Sequence, residues 1–233
     1  MFALKANRWM LFLIFIAPTL LIYTYFVMHS IGNTIYYSLT EWNAISDPVF
    51  RGLRHYERML TDTDFHLVMR NTLLNVVISI AIQIPAGLVG AYLIFRTRFG
   101  YRFYRFWVFV PVVMSASAIA LAFTLVFNTQ FGPLTTFLHA VGLGHLSRAW
   151  MSDASIVYFV VMTPMTYQFI GLYVIIQLAG MQSVSEEVLE SARIDGATSF
   201  QVFKSIMVPM QKQITGMCVV LIITGCFRAF EHS

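Results

Sequence analysis

Residues 183–209 read SVSEEVLESARIDGATSFQVFKSIMVP and lie between two strongly apolar segments. Apolar residues recur at helical spacing on both sides of the dipeptide Asp195-Gly196. Glycine accepts the left-handed backbone conformation that ends many helices, so this dipeptide predicts a break between two short helices. The stretch is therefore expected to form a rigid helical hairpin that lies outside the lipid and can bind a partner protein.

The ends of both short helices carry their own signals. Ser183 followed three residues later by Glu186 has the spacing of a capping box, which predicts the start of the first helix. Thr198 or Ser199 is expected to cap the second helix. That helix is expected to finish before Pro209, because the residue preceding a proline avoids the helical conformation.

The composition indicates an integral membrane protein. Of 233 residues, 58% are hydrophobic and only 11% are charged, whereas a typical soluble domain carries about 25% charged residues. The net charge of +4 is interpreted as a set of topology signals rather than a nucleic-acid surface, so no nucleic-acid partner is predicted. The six histidines are scattered along the chain, and no metal site is predicted.

Five apolar segments are interpreted as membrane spans, since about 20 residues of helix cross the roughly 30 Å of hydrocarbon. The last segment is the shortest. Together they predict an all-α integral membrane protein, a polytopic helical bundle that forms a single transmembrane domain over residues 1–233. The predicted spans are 10–31, 72–95, 106–127, 155–180 and 214–227.

Loop charges predict the orientation, because Lys and Arg accumulate on the cytoplasmic side. Lys5 and Arg8 precede the first span and place the N-terminus inside. Alternation then puts residues 32–71 and 128–154 outside, the first of which is expected to form a small cap, and residues 181–213, which include the hairpin, inside. The clearest signal is the loop after the second span, which has four arginines and no acid: Arg96, Arg98, Arg102 and Arg105.

The hairpin sequence resembles the EAA coupling loop of ABC importer permeases. That pattern is an acidic residue, two small residues, a spacer, Asp-Gly-Ala, and then a phenylalanine, an isoleucine and a proline. The likeness extends beyond the loop over nearly the whole chain and is to the carbohydrate-uptake branch of these type I importer permeases. The matching positions are Glu190, Ser191, Ala192, Asp195, Gly196, Ala197, Phe203, Ile206 and Pro209.

Two departures from the family pattern are visible. Ser191 stands where the motif has its first alanine, which is a small-for-small change. Permeases of this type usually continue through a Gly-Gly-Pro turn and one more span, whereas this sequence ends at Ser233. The resemblance therefore implies a C-terminally truncated permease with five spans present and a sixth absent.

The resemblance implies a permease subunit in the cell membrane of a bacterium or archaeon, with no catalytic residue and no cofactor. Its expected partners are a second permease subunit in a heterodimer, cytoplasmic ATP-binding subunits, an extracytoplasmic solute-binding protein and membrane lipid. Arg193 is expected to pair with Glu190 or to stay solvated. The residues expected to couple the permease to the ATPase are Glu187, Glu190, Ala192, Asp195, Gly196 and Ala197.

Polar side chains inside the predicted spans are candidates to line a substrate path, because exposing them to lipid is costly. Such residues also hold membrane helices together, and that alternative stays open for each one. Sugars, polyols and glycerol phosphates all remain open as substrates. The candidates are Asn75, Gln83, Thr163, Tyr167 and Gln168.

A secondary transporter or channel subunit is the main alternative from another class. Such a protein is expected to carry an intramembrane acid or arginine for ion coupling, or an internal repeat, and the sequence has neither. An enzyme is disfavoured because no nucleophile motif or paired-carboxylate cluster is present at a membrane face. The interpretation as an importer permease is favoured because it accounts for the hairpin.

Overall fold

The structure is a computed structural model that describes residues 8–43, 45–97 and 99–228, with side chains from residue 15 onward. Lys5 and Arg98, two of the topology signals, lie outside the described residues. The chain divides into two compact units, one that extends to Met69 and one that begins at Arg70.

The first unit begins with a long helical run. Helix α1 (Arg8–Tyr23) passes through one π-helical turn (Thr24–Met28) into α2 (His29–Ser38). The run from Phe15 to Ser38 is long and apolar enough to cross a membrane. It continues seven residues beyond Ile31, the predicted end of the first span, and Pro18 is accommodated inside it.

Residues after this run form two short strands and a helix, within the range 32–71 that was predicted to be a small external cap. Strands β1 (Thr40–Glu41) and β2 (Val49–Phe50) pair antiparallel, and helix α3 (Arg54–Thr61) follows. The Tyr56 hydroxyl donates to Ser38 Oγ over 2.9 Å. These contacts fasten α3 to the end of α2.

The second unit contains the remaining helices. Helix α4 begins at Thr63, and its residues from Arg70 onward belong to this unit. The helices are α4 (Thr63–Arg96), α5 (Tyr101–Val113), α6 (Ala116–Val126), α7 (Pro133–Ala140), α8 (Val157–Met181), α9 (Glu186–Ile194), α10 (Ser199–Val202), α11 (Val208–Met210) and α12 (Lys212–Arg228), with a 3-10 turn at Gly144–Leu146 and a π-helical turn at Phe203–Met207.

The third predicted span, 106–127, is a bent pair of helices rather than one continuous helix. Helices α5 and α6 meet at an angle of 97°. Met114 is extended, and the Ser115 side chain caps α6 by accepting from the Ala118 amide over 3.2 Å. The break is stabilised from another helix, because Gln168 Nε2 donates to the Met114 carbonyl over 3.0 Å.

A second bend of 68° precedes α12, which contains the fifth predicted span, 214–227. The predicted helix end before Pro209 is wrong, because the helical residues continue through Pro209 to Met210. Pro209 has no amide hydrogen to donate, and a π-helical turn lies just before it, with the Val208 amide bonded to the Phe203 carbonyl. In the described residues, three helices are long and apolar enough to cross a membrane, or five if each bent pair is one span.

The core of the second unit depends on close helix contacts at small residues. A Cβ on Gly171 of α8 would lie 2.0 Å from the Val108 carbonyl oxygen of α5. A Cβ on Gly90 of α4 would lie 2.9 Å from a methyl group of Val174. Helix α8 is therefore packed tightly against both α4 and α5.

The segment between α7 and α8 is held by polar contacts. Trp150 Nε1 donates to Thr135 Oγ1 over 3.1 Å. Asp153 accepts from the hydroxyl and the amide of Ser155, and these bonds, with Arg148 nearby, lower the pKa of its carboxyl.

Candidate coupling surface and polar path

The hairpin over residues 183–209 begins differently from the prediction. Helix α9 starts at Glu186 after Ser185, whose backbone is extended and whose side chain makes no capping bond. The Ser183 hydroxyl instead donates to the Gly180 carbonyl over 2.7 Å. The predicted Ser183–Glu186 capping box is therefore wrong, because α9 begins only after Ser185 and the Ser183 hydroxyl is used at the end of α8.

The predicted break at Gly196 is confirmed. Gly196 has φ +76°, its amide donates to the Arg193 carbonyl over 3.1 Å, and the Ala197 amide donates to the Ala192 carbonyl over 2.9 Å. These two bonds are those of a Schellman motif, which satisfies the last carbonyls of a helix. The turn after α9 is thus fixed by backbone geometry that suits glycine.

The start of the second helix is also as predicted. Thr198 caps α10 through a capping box with Gln201: the Gln201 amide donates to Thr198 Oγ1 over 3.3 Å, and the Thr198 amide donates to Gln201 Oε1 over 2.7 Å. The turn at Gly196 is therefore held between two helix ends that are both satisfied internally.

The apolar side of the hairpin packs onto the ends of α4 and α8. Leu189 and Met207 join a buried cluster with Ile94, Leu178 and Met181. This packing makes the hairpin a firmly attached part of the second unit.

A hydrogen bond and an aromatic contact reinforce that packing. The Tyr92 hydroxyl donates to the Ser199 carbonyl over 2.6 Å, and the rings of Tyr92 and Phe203 are 4.8 Å apart. A force applied to the hairpin would therefore reach α4 directly.

The opposite side of the hairpin is exposed and acidic. Glu187, Glu190, Asp195 and Gly196 are exposed, and Ala197 is half-buried. Ala192 differs from the others, because its side chain is buried at 8% exposure on the inner side of α9.

The arginine of α9 does not neutralise this surface. The ion pairs found in the described ranges join Arg51 to Glu41 and Arg148 to Asp153, and neither lies in the hairpin. Arg193 therefore takes the solvated alternative. The exposed side of α9 and its turn keeps an excess of carboxylates.

The five predicted path residues do not form one cluster. Asn75 and Gln83 are buried on α4, where Asn75 accepts from the Ser79 hydroxyl over 3.0 Å and Gln83 Nε2 donates to the Thr166 carbonyl over 3.2 Å. Gln83 and Ser79 line a cavity of about 370 Å³ between α4, α8 and α12. Ser79 was missed from the sequence, although its spacing of four residues from both Asn75 and Gln83 marks a polar stripe.

The other three predicted path residues, Thr163, Tyr167 and Gln168, lie on α8. Gln168 is used at the break between α5 and α6. The Thr163 hydroxyl bonds the Phe159 carbonyl of its own helix over 2.8 Å. Tyr167 is 46% exposed, and its ring lies 5.5 Å from that of Phe123 in α6. The path residues therefore lie on both α4 and α8, and on α8 Gln168 contacts the break between α5 and α6, Tyr167 contacts α6, and Thr163 bonds its own helix.

Two buried glutamines have polar atoms without a partner. Gln177 is fully buried, and neither its Oε1 nor its Nε2 has a hydrogen-bond partner; Gln211 Oε1, at the bend before α12, also lacks one. The sequence signal for Gln177 was an amide flanked by apolar residues in the second half of α8. Across the described residues, no group of three or more His, Cys, Asp or Glu side chains is placed to hold a metal.

Long apolar helices that carry a firmly packed, acidic helical hairpin define a polytopic membrane permease. The chain belongs to the family of binding-protein-dependent transport system inner membrane components, whose model matches residues 83–225. It is therefore a multi-pass inner-membrane component of a transport system that includes a binding protein, and it is a permease rather than an enzyme. The membership predicted from the hairpin is confirmed.

Similar proteins carry related descriptions. The chain is 34% identical over 222 residues to the probable ABC transporter permease protein YurN of Bacillus subtilis, a match covering 94% of this chain and 76% of that protein. It is 28% identical over 219 residues to the multiple sugar-binding transport system permease protein MsmF of Streptococcus mutans, covering 94% and 74%.

A solved structure shares the fold. A chain in the crystal structure of a bacterial alginate ABC transporter, in complex with an alginate pentasaccharide-bound periplasmic protein, matches with a TM-score of 0.78 at 19% identity. The match covers 95% of this chain and 74% of that chain. The predicted fold class, an all-α permease of the ABC importer type, is confirmed.

Proposed function

We propose that this chain is the membrane-spanning subunit of an ATP-driven importer of sugars or related polyhydroxylated solutes. The substrate class is supported by the sugar-binding transport system of MsmF and by the alginate transporter that shares the fold. The single observation that carries the coupling role is the exposed, acidic turn around Gly196, fixed on the core of α4 and α8.

The proposed docking surface for a cytoplasmic ATP-binding subunit comprises the exposed residues of α9 and its turn. Glu187, Glu190 and Asp195 supply the carboxylates, and Glu190 would meet a basic residue of the partner. A Cβ on Gly196 would meet no atom of this chain within 4 Å, so a partner backbone has room to approach there. Ala197 lies at the rim of this surface, while Ala192 would act by letting α9 pack closely against the core.

In this proposal the hairpin transmits movement as a rigid lever. Closure of the ATP-binding subunits on ATP supplies the free energy, since a switch needs a ligand that distinguishes its two states. The Tyr92 bond to Ser199 and the cluster around Leu189 and Met207 connect the hairpin to α4 and α8. Both helices carry the candidate path residues, so displacement of the hairpin reaches the substrate path.

The rest of the assembly follows from the same proposal. A second permease subunit, different in sequence, would complete the path, and an extracytoplasmic binding protein would deliver the solute. The N-terminus and residues 183–209 would face the cytoplasm. Gln83, which lines the cavity of about 370 Å³, would offer its amide to a sugar. Asn75, Thr163, Tyr167 and Gln168 would add further amides, hydroxyls and an aromatic face.

Co-purification tests the docking surface. The chain is co-expressed with a candidate ATP-binding subunit from the same organism and isolated in detergent. We expect Glu190→Lys and Gly196→Asp to lose the ATP-binding subunit, the first by charge reversal and the second by blocking backbone approach. Glu57→Lys, the same charge reversal at an exposed acid of α3, is the matched control and should retain it.

A further variant separates docking from folding. Gly196→Asn introduces a side chain of the same size as the one in Gly196→Asp, without its charge, and asparagine tolerates the left-handed conformation. It should also lose the partner if close approach matters, while its melting temperature stays near that of the wild type. Undiminished binding by both Glu190→Lys and Gly196→Asp would rule out this surface.

A further inference from the structure

An open groove of about 500 Å³ lies along one side of α5. Two arginines stand at its start and aromatic or aliphatic residues fill the rest. The main lining residues are Arg102, Arg105, Phe106, Phe109, Val110 and Val113.

These residues form one continuous face of the helix. Their spacings from Arg102 are 3, 4, 7, 8 and 11 residues, which is the repeat of a single helical stripe. From Arg102 to Val113 the helix rises about 16 Å at 1.5 Å per residue. One leaflet is about half of the roughly 30 Å hydrocarbon core, so the groove has the length of one leaflet.

The polar end of the groove has unanswered positive charge. Arg102 and Arg105 are exposed, and neither belongs to the ion pairs that the structure shows in the described part of the chain. The sequence contains no Asp or Glu between Asp64 and Asp153. An anion is therefore the complementary ligand at this end.

Tyr101 adds a donor beside the two arginines. It lines the same groove, and its hydroxyl oxygen accepts from Gln182 Nε2 over 2.7 Å. Because that bond uses the oxygen as acceptor, the phenolic hydrogen remains available to donate to an anion.

We propose that this groove binds an anionic phospholipid. The phosphate sits on Arg102 and Arg105 with the Tyr101 hydroxyl as a further donor, and one acyl chain lies along Phe106, Phe109 and Val113. Placing the lipid in the cytoplasmic leaflet rests on the proposed orientation of the permease. A basic end above an apolar stripe distinguishes a lipid from a neighbouring apolar helix, which would leave both arginines without a counter-charge.

Native mass spectrometry of the purified full chain in detergent tests the headgroup site. Phosphatidylglycerol and phosphatidylcholine with identical acyl chains are added separately. We expect phosphatidylglycerol to be retained preferentially. Arg102→Gln with Arg105→Gln should weaken its binding roughly 25-fold, since each basic side chain near an anionic surface contributes about fivefold. Arg54→Gln with Arg58→Gln, two exposed arginines of α3, removes equal charge and should change nothing.

A second variant tests the acyl-chain site. Val110→Trp fills the groove while both arginines remain, and it should also release the phospholipid. Glycerol 3-phosphate, which has the headgroup charge without acyl chains, should compete poorly. Equal binding of phosphatidylcholine, unchanged binding by the double glutamine variant, or full competition by glycerol 3-phosphate would each overturn the proposal.

The remaining outcome concerns the second permease subunit. If adding that subunit displaces the lipid from the wild-type chain, the groove is a subunit interface and the proposal is wrong. None of these measurements needs the ATP-binding subunit or transport. Failure of the lipid site is therefore distinguishable from failure of the coupling surface, which co-purification reports separately.

Discussion

At the scale of single residues, the fully buried Gln177 is the most unusual side chain of α8, since both of its amide atoms lack partners. An unpaired buried polar group costs about 1–3 kcal/mol. We predict that Gln177→Met, which keeps the volume and removes both polar atoms, raises the melting temperature in detergent. Fluorescence-detected thermal unfolding measures this change.

Gln83→Met is the matched substitution, and it is expected to change the melting temperature in the opposite direction. Gln83 is also buried, at 4% exposure, but its Nε2 is bonded to the Thr166 carbonyl. Losing that bond should lower the melting temperature. A lower value for Gln177→Met as well would mean that the Gln177 amide is satisfied in the purified protein and that its unpaired state is not the native one.

Residue-scale prediction from sequence succeeded where the chemistry is local. The left-handed turn at Gly196 and the cap at Thr198 depend on neighbours within five positions, so the pattern was sufficient. Ser183 was misassigned because its hydroxyl had two possible partners, the start of α9 and the end of α8. Only the packing of the two helices decides between them.

At the scale of helices, the contact between α5 and α8 depends on Gly171. A methyl group there would lie 2.0 Å from the Val108 carbonyl oxygen, and a backbone atom cannot move aside without shifting the helix. We predict that Gly171→Ala lowers the melting temperature, although alanine favours a helix by about 1 kcal/mol. Gly216→Ala in α12, where no atom lies within 4 Å of the added carbon, should leave it unchanged or raise it.

If Gly171→Ala is as stable as the wild type, α5 and α8 are not in close contact in the purified protein. The groove along α5 would then have a different lining, because Ile175 of α8 contributes to it.

The helices show that a hydrophobic run predicts the presence of a spanning helix better than it predicts whether that helix is bent. Helices α4, α8 and α12 contain the predicted spans 72–95, 155–180 and 214–227 almost entirely. The run 106–127 gave no sign of a 97° bend beyond Pro111, which does not itself break the helix. The bend is stabilised by Gln168, a residue 54 positions further along the chain, and such a partner is invisible to a local pattern.

At the scale of the whole molecule, the proposed mechanism requires the hairpin to be cytoplasmic. The four arginines between Arg96 and Arg105, and the absence of acids near them in the sequence, support that side. The chain offers two exposed serines for a direct test: Ser185, whose side chain makes no capping bond, and Ser152, in the segment predicted to be external. Each is replaced by cysteine after the buried Cys218 and Cys226 are changed to alanine.

We predict that a membrane-impermeant maleimide labels Ser152→Cys in intact cells but labels Ser185→Cys only after the membrane is permeabilised. The chain is expressed without its ATP-binding subunit, so that docking cannot shield position 185. The opposite labelling would place the acidic hairpin outside the cell, where no ATP-binding subunit could reach it. The coupling proposal would then fail even if the lipid groove binds as expected, because binding in detergent does not depend on orientation.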